Sequence, residues 1–204
     1  MDSNLTKNAK SSIKMNMDDK YEVVFNNNKY YFDLMKIGEH SAIAVFDALS
    51  SFTMAKDCCE DMKKILAENG IVKGSFDTIV TAESKAVTLG AILASYYGSD
   101  LVILRKKVRN FFKEVISEPV TTYTTTASSY LNLDYTHNKQ YLENKKVLLL
   151  DDVVSTGSSL TAMEKIMNKV NAKVIAKAFI FSEGDVEREK DVYFVHKLPI
   201  IEVD

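Results

Sequence analysis

The sequence is short of cysteine, proline and glycine, and neither sign of charge is in marked excess. Its 204 residues include two cysteines, Cys58 and Cys59, which are adjacent. Neighbouring cysteines rarely form a disulfide, so we predict a reducing compartment and thiols packed on the core side of a helix. No Cys-x-x-Cys pair or histidine cluster indicates zinc. No glycine-rich or proline-rich linker divides the chain, so we predict a single domain over residues 21–204.

Long apolar runs and a marked excess of basic residues are also missing. No segment has the pattern of a signal peptide or a membrane span, so we expect a cytoplasmic protein without a membrane partner. The formal net charge is -2, which gives no reason to expect a nucleic-acid partner. Residues 1–20 are polar and carry mixed charges, and we predict that they form a disordered arm.

Apolar runs alternate with helical patterns along most of the chain. The stretches FDTIVTA, DLVILR, KKVLLL and AKVIAKAFIF predict strands. Apolar residues recur at helical spacing over residues 52–67 and 160–170, and AVTLGAILASYY predicts a buried helix between two strands. This alternation of strands and helices predicts an α/β fold with a central, mostly parallel, twisted sheet flanked by helices.

Two regions depart from this alternation of strands and helices. YEVVFNNNKYYFDLM predicts a hairpin that turns at its asparagines, because Asn tolerates positive φ. Between Arg105 and Lys146 no clear helix pattern is present, and PVTTYTTTASSYLNLDY is rich in threonine and tyrosine. That composition favours a β-ribbon, and so long an insertion in a compact domain is usually functional or mobile.

The stretch VLLLDDVVSTGSSL, residues 147–160, carries the strongest chemical signal. Asp151 and Asp152 follow a buried strand, and ligands of open α/β sheets bind at the carboxyl ends of strands. The glycine turn before the next helix exposes N–H groups that suit a phosphate, and paired carboxylates suit two ribose hydroxyls. The pattern indicates a ribose 5-phosphate site. The alternative is that these residues only cap a helix and form a turn. No Walker A sequence is present.

The same stretch resembles the 5-phosphoribosyl-1-pyrophosphate (PRPP) signature of the type I phosphoribosyltransferases. IVTAESKAVTLGAILA resembles the pyrophosphate loop and following helix of the adenine phosphoribosyltransferases, and LVILRKK resembles a strand of that group that ends in Arg-Lys. The resemblance extends from about Asp77 to Phe181. FSEGDVERE and HKLPIIEV also resemble the adenine phosphoribosyltransferase-like proteins.

The resemblance implies a role for each matched position. Asp151 and Asp152 would be the catalytic pair that binds the ribose hydroxyls of PRPP. The pyrophosphate would meet a loop whose Glu83–Ser84 peptide bond adopts cis, together with basic residues that reach across a homodimer. Mg²⁺ would be carried on PRPP oxygens. The residues implied to bind the 5-phosphate are Val154, Ser155, Thr156, Gly157, Ser158 and Ser159, and those implied to bind pyrophosphate are Glu83, Ser84, Lys85, Arg105 and Lys106.

The resemblance also implies a hood over the acceptor base, built from about residues 21–34 and 182–203, and a lid over about residues 108–138. Lys85 and Ala86 stand where the family usually has Arg and Gly. Adenine enzymes carry a lid glutamate, whereas this chain has no carboxylate between Glu118 and Asp134. Three hypotheses follow: transfer of a phosphoribosyl group to adenine or another purine, transfer to a different base, and PRPP sensing without catalysis.

Overall fold

The computed structural model describes residues 13–120, 129–183 and 191–203. Within these ranges, short strands come first, and helices then alternate with longer strands. In chain order the elements are β1 (Ile13–Met15), β2 (Tyr21–Phe25), β3 (Asn28–Phe32), β4 (Leu34–Lys36), β5 (Ser41–Ala44), α1 (Phe52–Glu68), β6 (Thr78–Ala82), α2 (Ala86–Tyr97), β7 (Asp100–Leu104), β8 (Val115–Val120), β9 (Ser129–Asp134), α3 (Tyr135–Leu142), β10 (Lys146–Val154), α4 (Ser158–Lys169), β11 (Lys173–Glu183), β12 (Val192–Leu198) and β13 (Ile201–Val203).

A five-stranded sheet forms the centre of the molecule, in the order β12-β11-β10-β6-β7. All four neighbouring pairs are parallel. All five residues of β6 are buried, as are residues 147–150 of β10. Continuous burial of this kind is expected where helices cover both faces of a parallel sheet. The predicted α/β fold with a mostly parallel central sheet is therefore confirmed.

The two faces of the sheet carry different helices. Alternate residues of β10 enter two separate apolar clusters, because successive side chains of a strand point to opposite faces. Leu148 and Leu150 pack in the cluster that contains α1 and α2, whereas Val147 and Leu149 pack in the cluster that contains α4. We refer to these as the hood face and the α4 face of the sheet. Each face therefore has its own core.

The cysteine pair lies in the core of the hood face. Cys58 and Cys59 are free and fully buried on α1, as predicted. Burial raises the pKa of the Cys58 thiol, and it raises the pKa of the Cys59 thiol to about 12. Neither thiol is therefore a reactive nucleophile near neutral pH.

The hood differs in part from its predicted boundaries. A small sheet runs in the order β1-β13-β5-β4, and the predicted hairpin is present as β2 and β3. Asn26 and Asn27 both have positive φ at its two-residue turn, +47° and +65°. Within the range 182–203 assigned to the hood, β12 pairs with β11 at the edge of the central sheet. Among the described residues of that range, β13 is the strand that joins the small sheet.

The predicted disordered arm is wrong for residues 13–15, which form β1 and pair with β13. A strand of three residues is too short to show periodicity, and its order comes from a partner almost 190 residues away in the chain. Residues 1–12 of the predicted arm lie outside the described part of the chain.

The predicted lid contains a ribbon and part of a helix. Strands β8 and β9 pair antiparallel, as the composition predicts, and Arg105 forms a bridge with Asn132 of β9. The expectation of no helix in this region is wrong, because α3 begins at Tyr135 and includes the last residues of the range 108–138. Leu142 is the one buried residue of α3, so the helix has little apolar periodicity to reveal it. Residues 121–128 lie outside the described part.

None of the helices in the described ranges has the length and apolar character needed to cross a bilayer.

Asp57 fixes the hairpin to α1. Its side chain is buried, with 6% exposed. The carboxylate accepts hydrogen bonds from Asn26 Nδ2 at 3.1 Å, Asn28 Nδ2 at 2.7 Å and Tyr30 Oη at 2.6 Å. Burial raises the pKa of Asp57, but the three hydrogen bonds outweigh it and hold the pKa below its usual value. The ionised form is therefore the form that stabilises the fold.

We expect Asp57→Asn to lower the free energy of unfolding by about 1–3 kcal/mol, because an amide cannot accept all three hydrogen bonds. Urea denaturation at pH 7 measures this loss. A folded-state pKa below the unfolded one stabilises the protein above the unfolded value, so this contribution is lost as pH falls through the folded pKa. The difference between wild type and variant should therefore shrink in acid. Asp33→Asn is the control, since the side chain of Asp33 is 78% exposed in its ion pair with Lys20. Equal losses for the two variants would contradict the role of Asp57.

Candidate functional site

The candidate site lies at the carboxyl ends of the central strands, where β10 turns into α4. Asp151 and Asp152 belong to the last four residues of β10, and the turn that follows leads to Gly157, with φ +74° at the N-cap of α4. A glycine N-cap has no side chain to occupy the first free N–H groups of the helix. These groups, with the positive end of the helix dipole, can bind an anion.

The two carboxyl groups of the acidic pair repel each other. Asp152 N donates a hydrogen bond to Asp151 Oδ1 at 3.0 Å. Burial and, after it, the charge of Asp152 raise the pKa of Asp151 to about 8. The pair therefore favours a ligand that supplies hydrogen-bond donors or positive charge.

A cavity of about 140 Å³ lies beside the turn, on the α4 face; we call it the turn cavity. Thr156 Oγ1 lies 3.2 Å from Ser158 Oγ at its rim. The structure thus brings together Asp151 and the six residues predicted to bind a phosphate. The lining residues are Asp151, Val153, Val154, Ser155, Thr156, Gly157, Ser158, Ser159, Leu160 and Phe179.

Glu83 and the basic residues after β7 form a second group. Glu83 Oε1 accepts a hydrogen bond from Arg105 Nη1 at 2.8 Å, and Glu83 Oε2 accepts one from the Lys106 backbone N–H at 3.0 Å. Burial raises the pKa of Glu83, but these interactions outweigh it and hold the pKa below its usual value. The Glu83–Ser84 peptide bond is cis, as the family resemblance implied. With both oxygens engaged, Glu83 orients Arg105.

Lys85 lies apart from this group. Its Nζ donates a hydrogen bond to the Phe46 carbonyl oxygen at 2.9 Å. The ammonium group therefore points toward the small sheet. Here it borders a second cavity of about 260 Å³, which we call the hood cavity. The lining residues are Met35, Ile43, Ala44, Val45, Phe46, Lys85, Asp152, Val153, Ser155 and Glu183.

Glu183 is a site residue that sequence reasoning missed. It ends β11, and the register that pairs Val154 with Ser182 brings it level with Ser155. Burial raises the pKa of Glu183, and so does the charge of Asp152; the Ser155 hydroxyl and Lys85 act in the opposite direction. The sequence signal was a carboxylate two residues after the apolar run AKVIAKAFIF, with Ser182 between them. Such a residue lies at the carboxyl edge of the sheet, next to the acidic pair.

Comparisons with known proteins agree with this geometry. A family model described as "phosphoribosyl transferase domain" matches residues 51–203. An adenine phosphoribosyltransferase of Brachyspira hyodysenteriae is 25% identical over 148 residues, which cover 72% of this chain and 83% of that protein. A hypoxanthine/guanine phosphoribosyltransferase of Methanocella paludicola is 32% identical over 130 residues, 63% of this chain and 64% of that protein.

Solved structures share the fold. The adenine phosphoribosyltransferase of Rhodothermus marinus has a TM-score of 0.61 at 18% identity, covering 81% of this chain and 93% of that one. The corresponding structure from Thermoanaerobacter pseudethanolicus has a TM-score of 0.59 at 22% identity, covering 74% and 84%. Since the family model spans most of the chain, including the acidic pair, the turn and Arg105, the protein belongs to the phosphoribosyl transferase domain family.

Proposed function

We propose that this protein transfers the 5-phosphoribosyl group of PRPP to a nucleobase, adenine or another purine, and releases pyrophosphate. One observation carries the proposal: the acidic pair lies between two cavities of different chemistry. Asp151 borders the turn cavity, which is lined by hydroxyls and a helix N-terminus, and Asp152 borders the hood cavity, which has apolar walls. A ribose with a phosphate on one side and a flat base on the other fits this order.

Each part of PRPP has a matching set of groups. The 5-phosphate would accept hydrogen bonds from the backbone N–H groups of residues 154–159 in the turn cavity. The two ribose hydroxyls would donate to Asp151 and Asp152. The pyrophosphate would lie against the Glu83–Ser84 loop, where Arg105 is already oriented by Glu83. Lys106 adds positive charge at the same strand end, and Lys85 would contribute from the hood side.

The reaction replaces the bond from C1 of the ribose to pyrophosphate with a bond from C1 to a ring nitrogen. Positive charge develops on the ribose and negative charge on the departing group. The acidic pair stabilises the first, and Arg105, Lys106 and the loop N–H groups stabilise the second. The ribbon of β8 and β9 would exclude water from the reacting centre, and its bridge to Arg105 supports this role.

Mg²⁺ would bind mainly to oxygens of PRPP. Among the described residues, no three or more His, Cys, Asp and Glu side chains lie close enough to hold a metal ion. The paired carboxylates and the phosphate-binding turn fit a metal that arrives with the substrate. When bound, the ion would neutralise part of the charge on the departing pyrophosphate. The two buried free cysteines fit a cytoplasmic location.

The proposed function predicts release of pyrophosphate from PRPP and Mg²⁺ with at least one base among adenine, hypoxanthine, guanine, xanthine, uracil and orotate. The double variant Asp151→Asn, Asp152→Asn should lower turnover at least about a hundredfold, because it removes the charges that face the developing positive ribose. Its fold should persist, since the amides that replace the two carboxyl groups carry no charge to bury. Asp100→Asn is the control, because Asp100 is exposed at the opposite end of the sheet.

Two outcomes of this assay would contradict the proposal. Full activity of the double variant would exclude the acidic pair as the catalytic site. Calorimetric binding of PRPP without release of pyrophosphate for any base would contradict the enzyme hypothesis. That result would favour the alternative of a PRPP sensor, which the missing lid carboxylate makes worth testing.

The raised pKa of Asp151 predicts that PRPP binding releases protons near pH 8. Ribose hydroxyls donate to the ionised carboxylate, so binding favours the deprotonated form of a group that is partly protonated in the free protein. Titration calorimetry in buffers of different ionisation enthalpy measures the number of protons released. We expect up to about one proton per site, and a smaller release for Asp151→Asn. Equal release by wild type and variant would contradict the assignment.

A homodimer is the expected partner arrangement. Arg105, Lys106 and Lys107 form a basic cluster, and the segment that follows exposes Val108 and Phe111, with 54% and 65% of their surface accessible. Exposed apolar residues beside a charged site are typical of an interface.

We expect light scattering to show a dimer at micromolar concentration. The variant Phe111→Asp should shift the protein toward the monomer and reduce its activity. A fully active wild-type monomer would contradict a shared site.

A further inference from the structure

The hood cavity is lined by a carboxyl group, that of Glu183, which contacts neither the ribose nor a phosphate in the proposed binding mode. Glu183 lies at the end of β11 and lines this cavity together with Lys85, Asp152 and Ser155. Of the two acidic groups there, Asp152 would be occupied by a ribose hydroxyl. Glu183 is therefore the carboxyl group that remains available to a second ligand in the cavity.

The position of the hood cavity relative to the turn cavity makes it the site for the acceptor base. The two cavities share Val153 and Ser155, and Asp151 lines the turn cavity while Asp152 lines the hood cavity. A ribose bound across that pair, with its 5-phosphate in the turn cavity, would direct its C1 side toward the hood cavity. The apolar walls formed by Ile43 and Phe46 suit the faces of a flat ring.

Formation of the new bond requires a proton acceptor. A neutral purine carries one proton on its imidazole ring and a lone pair on the other imidazole nitrogen. When the lone pair attacks C1, the ring becomes cationic unless that proton leaves. The lid sequence between Glu118 and Asp134 supplies no carboxylate for this purpose. The hood cavity does supply one, because Glu183 lines it together with Asp152.

We propose that Glu183 is the catalytic residue that accepts the imidazole proton of the acceptor base. In this step the nitrogen lone pair forms the bond to C1, the bond from C1 to the pyrophosphate oxygen breaks with its electron pair, and the N–H proton passes to the Glu183 carboxylate. The products are the nucleotide, pyrophosphate and protonated Glu183, so atoms and charge balance. This assignment rests on the proposed function and adds the group that selects acceptors with an imidazole N–H.

The surroundings of Glu183 suit proton transfer. Burial and the charge of Asp152 raise its pKa, while Lys85 and the Ser155 hydroxyl limit the shift. A carboxylate with a raised pKa is a stronger base than an exposed glutamate, and a ring nitrogen that is becoming cationic is a stronger acid. Lys85 is held in place by the Phe46 carbonyl, so its charge stays beside the cavity when the base is absent.

The test compares Glu183→Gln, Glu183→Asp and Glu183→Ala with wild type in the full chain, using PRPP, Mg²⁺ and whichever base wild type accepts. We expect Glu183→Gln to lower kcat about 10²-fold or more, the range lost when a general base is removed, and to leave the calorimetric Kd for PRPP within about twofold. Glu183→Asp should retain part of the activity. Added formate should restore part of kcat in Glu183→Ala by supplying a carboxylate in the vacated space.

Glu202→Gln is the matched control, since Glu202 is an exposed glutamate on β13 of the small sheet, and it should behave as wild type. Wild-type kcat in Glu183→Gln would overturn the role of Glu183 and leave the proposed function intact. Loss of PRPP affinity in parallel with kcat, without rescue by formate, would show a structural role and overturn the proposal. Absence of pyrophosphate release by wild type with every base would overturn both this assignment and the proposed function.

Discussion

Two carboxyl groups held side by side at the end of β10 impose the constraint on which the rest of the site depends. Asp151 is buried enough that its pKa rises to about 8 beside Asp152. A pair of this kind weakens the folded protein, because burial and repulsion both act against ionisation. It is compatible with a function in which a ligand supplies hydroxyl donors. The glycine turn, the uncapped start of α4 and the two cavities are all arranged around this pair.

The parallel sheet turns that local constraint into a site with two sides. Successive residues of a strand point to opposite faces, so Asp151 borders the turn cavity and Asp152 borders the hood cavity. Each face has its own apolar cluster, which keeps α4 fixed on one side and the small sheet on the other. The carboxyl ends of neighbouring strands add Glu83, Arg105 and Glu183 to the same edge. Residues far apart in the chain thus lie at one edge of the sheet.

The charged side chains differ between the two sides of the site. Arg105 and Lys106 lie at the loop proposed for pyrophosphate, where Glu83 accepts hydrogen bonds from the Arg105 guanidinium and from the Lys106 backbone N–H. On the hood side, positive and negative groups are mixed: Lys85 and Glu183 border one cavity with apolar walls. A uniformly basic cavity would suit an anion, whereas this mixture suits a neutral ring with donors and acceptors at its edge.

The sequence by itself determined the α/β fold, the hairpin, the buried cysteines and the grouping of residues 151–159, because each depends on local periodicity or on one contiguous motif. It did not reveal β1, which exists through a distant partner, or α3, which buries one leucine. The turn of Lys85 toward Phe46 and the position of Glu183 beside the acidic pair became clear from the folded chain alone. Those placements follow from strand order and register, which bring distant residues together and leave no trace in local spacing.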